Sequence, residues 1–436
     1  MKIYNLFPRL AGHFEDWEPH LERAAAMGFD WVFVNPIQKT GRSGSLYSIA
    51  DYFAINKDFL NPNAPVSPKE QVLAMVAKAE RHGLSMMIDL VINHCAVDSS
   101  LLKEHPEWFL HEGKKIANPF CVEADGTRVV WYDLAQFDHE HSPERAKLLD
   151  YCVKLVLHLV SLGFRGFRCD AAYQLPNEVW KQLITRVRRE HPETIFVAET
   201  LGCSPEQTKA TASAGFDAIF NSSKWWDFNG AWLLDQYNLT REVVPSISFP
   251  ESHDTERLFS ESCDNPHAMK QRYLFSALFS AGVMIPIGFE YGFRSRLDVV
   301  NTRPEQWESP NVDLTHFIAH INRIKDDYPV FRSEGPIERL ETSNDAILML
   351  HKRAPDGNGE ALLVLNKDPW NRQSLHVEDL YRYLSAPAPL LDVSPEWPME
   401  YLPTPFEFDL APGMGRILVT PNKQATGLKS RVAHDR

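Results

Sequence analysis

The sequence predicts an α/β fold: a (β/α)8 TIM barrel with a short inserted domain after the third strand and a C-terminal all-β sandwich domain. Eight apolar runs alternate with helical patterns, and sustained alternation of this kind is typical of an α/β barrel. Most of these runs are continuous, as expected for strands whose outer face is covered by helices. After Pro329 the pattern changes to short strands separated by Pro, Gly and Asp.

The predicted elements follow in order. The barrel strands are expected at Ile3–Phe7, Trp31–Asn35, Ser85–Ile92, Gly166–Ala171, Ile195–Thr200, Ala218–Asn221, Ser246–Pro250 and Val283–Gly288. Helical periodicity predicts helices at Phe14–Met27, Lys69–His82, Glu144–Leu162, Asn177–Glu190, Pro266–Ala281 and Leu314–Asp327. Several begin after Ser, Asn or Pro and end near Gly, as at Gly28, Gly83 and Gly163.

One connection is too long for a simple barrel loop. From His94 to Glu144 there are about fifty residues with little helical period, which indicates a lid-like insertion at 95–141. The barrel would then comprise 1–94 and 142–331. A β-sandwich domain is expected at 332–422, with strands at Ile337–Leu340, Ala346–His351, Ala361–Asn366 and Arg416–Thr420. Residues 423–436 are polar and read as a flexible tail.

Composition narrows the classes of partner. A formal net charge of −13 disfavours nucleic acid and anionic membranes. The uncharged stretch Tyr273–Phe289 contains Gly282 and Pro286, which favours a buried helix followed by a buried strand over a membrane span. Eleven Trp and thirteen Tyr suit a carbohydrate cleft, although most aromatic residues serve packing. Oligomeric state cannot be read from the sequence.

Cysteine usage and the N-terminus bear on localisation. The six cysteines have neither close pairing nor metal-type spacing, which favours reduced thiols in the cytoplasm: Cys95, Cys121, Cys152, Cys169, Cys203 and Cys263. Residues 1–7 run straight into the first predicted strand, so no signal peptide is expected.

Two acidic residues close neighbouring apolar runs. Asp170 follows 166–169 and Glu199 follows 195–198, with a predicted helix between them. Strand–helix–strand units bring neighbouring strand tips to one rim of a barrel, where catalytic residues lie. Paired carboxyl groups on a rim suit glycosidic bond cleavage, in which one attacks and the other donates a proton. Negative neighbours such as Asp170 and Asp254 should raise the pKa of Glu199.

Other polar residues mark further strand tips. Arg168 lies two positions before Asp170, so both side chains face one way and the guanidinium favours the charged carboxylate. His253 and Asp254 follow the seventh run, and Asp89 and His94 lie at the third. Any one of these residues, taken by itself, commonly has a structural role in an ion pair or a loop hydrogen bond. The prediction therefore depends on finding all of them together, in this order, at the strand tips.

This ordered set resembles the signatures of the α-amylase family of retaining glycoside hydrolases and transglycosylases. Its four signatures are matched in order by residues 89–94, residues 166–171, Glu199 with its flanks, and residues 249–255. Residues 45–52 resemble the Tyr-bearing loop of the family, and residues 288–292 resemble the end of its eighth strand. The resemblance implies that Asp170 is the nucleophile, Glu199 the general acid and base, and Asp254 a transition-state stabiliser. The substrate-binding residues that it implies are Tyr47, Asp89, His94, Arg168 and His253.

The resemblance also suggests calcium as an optional ligand, although no cofactor is expected to be required. In many family members an Asn at the position of Asn93 is a calcium ligand. Its partners cannot be identified from sequence; Asp98, Asp125 and Asp133 are candidates by their chemistry, since calcium takes six to eight oxygen ligands.

The favoured function is a retaining hydrolase that cleaves α-glucosidic bonds, α-1,4 in the first place, in maltooligosaccharides or related α-glucans. The alternative is an α-glucan transglycosylase: the region around 105–109 resembles maltosyltransferases that use maltose 1-phosphate. Those enzymes have Asn after the nucleophile, where this chain has Ala171, and they carry N-terminal domains not expected here. A catalytically inactive sugar-binding accessory protein is the remote alternative. A metal-dependent barrel hydrolase is disfavoured because neither His94 nor His253 has a His partner at ligand spacing.

Overall fold

The structure is a computed structural model that describes residues 1–122 and 126–421. The predicted tail at 423–436 lies outside the described residues. The strands are β1 Lys2–Leu6, β2 Trp31–Val34, β3 Gln38–Thr40, β4 Ile49–Ile55, β5 Ser85–Leu90, β6 His94–Ala96, β7 His111–Glu112, β8 Lys115–Ile116, β9 Phe120–Val122, β10 Arg128–Val130, β11 Leu134–Gln136, β12 Gly166–Cys169, β13 Ile195–Ala198, β14 Ala218–Phe220, β15 Ser246–Ser248, β16 Gly282–Pro286, β17 Ile337–Leu340, β18 Ile347–Arg353, β19 Glu360–Asn366, β20 Gln373–Val377, β21 Leu391–Asp392, β22 Phe406–Leu410 and β23 Gly415–Val419.

The helices alternate with the strands over most of the chain. They are α1 Pro8–Ala11, α2 Glu18–Ala26, α3 Pro68–Arg81, α4 Leu101–Glu104, α5 Arg145–Ser161, α6 Asn177–Glu190, α7 Pro205–Ala212, α8 Trp232–Thr240, α9 Leu258–Glu261, α10 Pro266–Phe279 and α11 Thr315–Asp327. The predicted helix at Phe14–Met27 is a 3-10 turn, Phe14–Trp17, followed by α2. Pro19 explains the break, because proline lacks an N–H group and fits best in the first turn of a helix.

Eight strands form a closed parallel barrel in the order β1-β2-β5-β12-β13-β14-β15-β16. The predicted (β/α)8 TIM barrel is therefore confirmed. All eight predicted barrel strands are present, and each ends one or two residues before the predicted end. Tyr273–Phe289 runs from α10 into β16 and is largely buried, as predicted.

The chain divides into two compact units. The N-terminal unit comprises Ile3–Phe220 and Ser295–Glu308; the C-terminal unit comprises Met1–Lys2, Asn221–Arg294 and residues 309–421. The predicted boundaries of the barrel, the insertion and the β-domain stay predictions.

In the N-terminal unit the strands of the barrel pair in a register that aligns their tips. Trp31 pairs with Ser85, and Gly166 pairs with both Met87 and Ile195. Gly166 is required there because a Cβ atom would lie 2.7 Å from the Trp31 ring. The predicted insertion contributes short ribbons, of which β6 and β11 pair antiparallel.

In the C-terminal unit a five-stranded sheet follows the last barrel elements. Its order is β17-β18-β19-β23-β21, and β20 and β22 form a separate two-stranded ribbon. Side chains of the sheet and of the ribbon share one core, including Met349 and Val364 from the sheet and Phe406 and Leu410 from the ribbon. The arrangement agrees with the predicted β-sandwich, although β20 to β22 were not predicted.

Candidate active site

Asp170 and Glu199 occupy adjacent strand tips in the N-terminal unit. β12 and β13 are parallel neighbours, and Cys169 pairs with Ala198, so the next residue on each strand is acidic. The Asp170 N–H donates to the Leu90 carbonyl at 3.2 Å, and the Glu199 N–H donates to the Cys169 carbonyl at 3.0 Å. The strand–helix–strand unit thus brings the two carboxyl groups to one rim, as the sequence predicts.

Arg168 connects the acidic residues of this rim. Its Nη1 lies 2.6 Å from Asp170 Oδ1 and 3.0 Å from Asp89 Oδ1, and its Nη2 lies 3.9 Å from Glu199 Oε2. Burial opposes the charge of Arg168, but the neighbouring Asp89 and Asp170 hold its pKa well above the ordinary value. The guanidinium is therefore a fixed positive charge that orients the Asp170 carboxylate.

Asp89 lies beneath this pair and is completely buried. Both of its oxygens accept from Arg168, and Oδ2 also accepts from the Tyr47 hydroxyl at 2.7 Å. A carboxylate with no exposed surface is unsuited to the substrate contact predicted from the sequence. Its contacts favour a positioning role for Asp89 toward Arg168 and Tyr47.

Tyr47 is half-buried and is held at its hydroxyl by two groups. Besides the bond to Asp89, the hydroxyl accepts from Asn35 Nδ2 at 2.9 Å, and Asn5 Nδ2 in turn donates to Asn35 Oδ1 at 3.0 Å. Asn5 and Asn35 were missed as supporting residues. The signal was available, because each is a polar residue within or at the end of an apolar strand.

Glu199 is almost entirely buried and accepts two backbone hydrogen bonds. The Ala171 N–H donates to Oε2 at 2.8 Å, and the Leu201 N–H donates to Oε1 at 2.7 Å. Burial raises the pKa of Glu199 to about 7, with Asp170 adding to the rise and Arg168 and the two N–H groups opposing it. The direction agrees with the prediction, but the main cause is burial rather than the negative neighbours.

Ala171 joins the two acidic residues through a strained backbone. Its φ of 41° and ψ of 48° place it in the left-handed region, which residues with a Cβ atom rarely adopt. This conformation accompanies the N–H bond to Glu199 and lies directly after Asp170. Strained backbone of this kind clusters at functional sites.

His94 is buried near Tyr47. Its Nε2 lies 3.2 Å from the Tyr47 carbonyl oxygen, and burial lowers the pKa of the imidazole, which favours the neutral ring. His253 and Asp254 follow β15 in the C-terminal unit, where His253 Nε2 lies 3.0 Å from Asp254 Oδ2. The Asp254 side chain is 58% exposed, so its carboxylate is accessible to a ligand.

Asn93 faces the predicted nucleophile and a cleft. Its Nδ2 lies 3.5 Å from Asp170 Oδ2, and its buried Oδ1 has no hydrogen-bond partner. The cleft is also lined by Gln136, Asp138, Glu140 and Gln174. An orphaned amide oxygen beside carboxylates suits a hard cation. Of the suggested partners, Asp98 instead accepts from the Arg42 N–H, and Asp125 lies outside the described residues.

A further group of side chains has a geometry that could hold a metal ion. Within residues 1–122 and 126–421, one group of three His or acidic side chains has ligand atoms within 4.8 Å of one another: His105, Glu107 and Glu144. None of them is a residue predicted for catalysis. The same part of the chain contains no helix long and apolar enough to cross a membrane.

Comparison with known proteins supports the resemblance found in the sequence. A family model described as the glucanotransferase domain of glycogen debranching enzyme matches residues 1–112. The chain is 25% identical over 387 residues to an α-1,4-glucan:maltose-1-phosphate maltosyltransferase of Burkholderia pseudomallei, covering 84% of this chain and 33% of that protein. It is 28% identical over 414 residues to the Myxococcus xanthus protein of the same name, covering 86% and 60%. The chain is thus similar to enzymes named for their action on α-glucans, in agreement with the predicted resemblance to the α-amylase family. It spans between a third and three-fifths of the length of these two relatives.

Solved structures of the α-amylase family share the fold. An α-amylase from Lactobacillus plantarum has a TM-score of 0.76 at 20% identity, covering 96% of this chain and 98% of that chain. A maltogenic α-amylase from Thermotoga neapolitana has a TM-score of 0.74 at 22% identity with the same coverage. These similarities extend over the barrel and the β-domain alike.

Proposed function

We propose that this chain is a retaining enzyme that cleaves α-glucosidic bonds, in the first place α-1,4 bonds, in maltooligosaccharides or related α-glucans. One observation carries the proposal: two carboxyl groups on adjacent strand tips have different surroundings. Asp170 is bound to a guanidinium at 2.6 Å, whereas burial raises the pKa of Glu199 to about 7. A retaining glycosidase needs one charged nucleophile and one protonated acid.

In the first step Glu199 gives its proton to the glycosidic oxygen while Asp170 attacks the anomeric carbon. The bond from that carbon to the leaving oxygen breaks, and an ester bond to Asp170 forms. Arg168, whose Nη1 lies 2.6 Å from Asp170 Oδ1, holds the Asp170 carboxylate in its orientation until it reacts. Glu199 is left as a carboxylate, and its two backbone N–H donors stabilise that charge.

In the second step the Glu199 carboxylate takes a proton from the attacking hydroxyl, which displaces Asp170 and restores both groups. Water as the attacking group gives hydrolysis, and a sugar hydroxyl gives transfer. The accessible Asp254 carboxylate would stabilise the positively charged transition state. The half-buried Tyr47 ring would stack on the reacting sugar, with His94 and His253 bonding its hydroxyls.

Maltosyl transfer from maltose 1-phosphate is the second candidate. The names of the curated relatives favour it. Ala171 argues for hydrolysis, because its methyl group offers no hydrogen bond to a phosphate beside the nucleophile. We therefore rank hydrolysis first.

One experiment separates these candidates. Purified protein is incubated with maltoheptaose, with and without maltose 1-phosphate or inorganic phosphate, and the products and their anomers are followed by NMR. Shorter maltooligosaccharides released first as the α-anomer support retaining hydrolysis. If maltoheptaose becomes longer by two glucose units in the presence of maltose 1-phosphate, the proposed activity is transfer and not hydrolysis. Binding of maltoheptaose without formation of any product would support the third alternative, a catalytically inactive sugar-binding protein.

Calcium binding at Asn93 and a cytoplasmic location are further proposals. The orphaned Asn93 Oδ1 and the neighbouring Asp138 and Glu140 support the first; calorimetric titration of the chelator-treated protein with CaCl2, compared with Asn93→Ala, tests it. The six cysteines, which are all thiols, support a reducing compartment; fractionation of the producing cells tests that.

A further inference from the structure

The loop between β21 and β22 in the C-terminal unit holds two large aromatic side chains in solvent. Trp397 is 81% exposed and Tyr401 is 76% exposed, and they lie four residues apart on this loop. A Trp side chain is normally well buried, because its ring is one of the largest apolar surfaces in a protein. Exposure alone is common at single positions, so the way in which the loop is held matters more.

The loop is anchored by a buried ion pair. Arg416 Nη1 lies 2.8 Å from Asp392 Oδ2, and the two side chains are 1% and 0% exposed. The same Nη1 donates to the Trp397 carbonyl at 2.6 Å, and the Met399 N–H donates to Asp392 Oδ2 at 3.0 Å. The Phe408 ring lies 3.9 Å from the Arg416 guanidinium and covers it. The backbone that carries the exposed rings is therefore fixed on its inner side.

The anchor holds Trp397 in an unfavourable conformation. Its φ is 52°, in the left-handed region that a bulky residue rarely adopts. Pro395 and Pro398 on either side restrict the loop further. A strained residue that is held by a buried ion pair, with its ring directed into solvent, is a feature that points to function rather than to packing.

We propose that Trp397 and Tyr401 form a second binding surface for α-glucan, apart from the catalytic residues. This proposal rests on the proposed function, because it takes the same substrate class. Apolar faces of glucose units stack on aromatic rings, and the exposed Glu400 carboxylate can accept hydrogen bonds from sugar hydroxyls, whereas Glu396 is bound by Lys270. A neutral glucan suits this surface better than a second copy of the chain, since two copies with a net charge of −13 each would repel.

Affinity electrophoresis in native gels with and without amylopectin tests the proposal. Trp397→Ala and Tyr401→Ala are made in an Asp170→Asn background, so that the polysaccharide is not degraded. Trp370→Ala is the matched control, because Trp370 is another exposed ring, at 60%, in the same unit. Retardation by amylopectin should weaken at least fivefold in the first two variants and remain unchanged in the control.

The same substitutions in the otherwise unchanged enzyme separate this proposal from the catalytic one. Turnover of maltoheptaose should stay within twofold, because neither ring belongs to the catalytic machinery. Retardation of the Trp397→Ala protein equal to that of its parent, or no retardation of the parent, would overturn the second surface while leaving catalysis intact. Absence of turnover in the unchanged enzyme would instead overturn the proposed function.

Discussion

Replacing Glu199 with Gln tests the division of labour between the two carboxyl groups. At about 1.4 kcal/mol per pKa unit, a pKa of about 7 in place of 4.5 corresponds to roughly 3 kcal/mol of preference for the protonated side chain. That preference keeps about half of the Glu199 population protonated at pH 7. Glutamine keeps the shape of the side chain but has no proton to give, so turnover of maltoheptaose should fall by about 10² to 10⁴.

The assay compares two substrates over pH. With maltoheptaose, kcat/KM of the unchanged enzyme should fall as pH rises through about 7, because only protonated Glu199 is an acid. With a chloronitrophenyl maltotrioside the phenolate leaves without needing a proton from Glu199. The Glu199→Gln variant should therefore still form the glycosyl-enzyme with this substrate, which is measured as a burst of phenolate. Adding azide, which needs no general base, should restore turnover of the aryl substrate.

Two results would refute this reasoning. One is maltoheptaose activity of Glu199→Gln within threefold of the unchanged enzyme. The other is a falling limb near pH 7 that persists in the variant, which would assign that titration to another group. An equal loss of activity on both substrates, without a burst of phenolate, would indicate a structural defect in the variant. A thermal unfolding curve would identify such a defect.

The remaining predictions concern the surroundings of these two groups. Asp170→Asn should lower turnover by several orders of magnitude with little change in thermal stability; near-normal activity would remove Asp170 from the nucleophile role. The raised pKa of Glu199 means that the unchanged protein loses stability as pH rises from about 4.5 to 7, so Glu199→Gln should gain up to about 3 kcal/mol relative to it between pH 5 and pH 8, measured by urea unfolding; a pH-independent difference would contradict the burial argument. Asp89→Asn should cost about 3 to 5 kcal/mol because it leaves buried Arg168 partly uncompensated, whereas Asp264→Asn, in an exposed ion pair, should cost much less. Ala171→Gly should stabilise the fold by about 1 kcal/mol by relieving the left-handed backbone, and calorimetry at pH 5 would show a lower melting temperature if that account is wrong.

The sequence was sufficient for the barrel because most of its strands are apolar runs that alternate with helical patterns. The helix at Asn177–Glu190 was predicted to the residue, since its amphipathic period is strong. The ribbon of β20 and β22 was missed. Its strands alternate exposed and buried residues over only five positions each, and they pair across a separation of about thirty residues that no local pattern reveals.

For the candidate site, the side chains could be predicted but their partners could not. The acidic residues and Arg168 follow apolar runs, so their positions at strand tips are local information. Glu199 receives hydrogen bonds from the backbone of Ala171 and Leu201, and backbone groups carry no sequence signal. The burial that dominates the pKa of Glu199 arises from packing of distant segments, which explains why the sequence suggested charged neighbours instead.

Trapping the covalent intermediate tests the central claim most directly. The protein is incubated with a 5-fluoro-α-glucosyl or α-maltosyl fluoride, whose fluorine slows release of the ester, then digested with pepsin and examined by mass spectrometry. The account predicts one glycosyl adduct on the peptide that contains Asp170, absent from the Asp170→Asn variant. An adduct on the Glu199 peptide, or turnover of maltoheptaose with inversion at the anomeric carbon and no adduct, would contradict it.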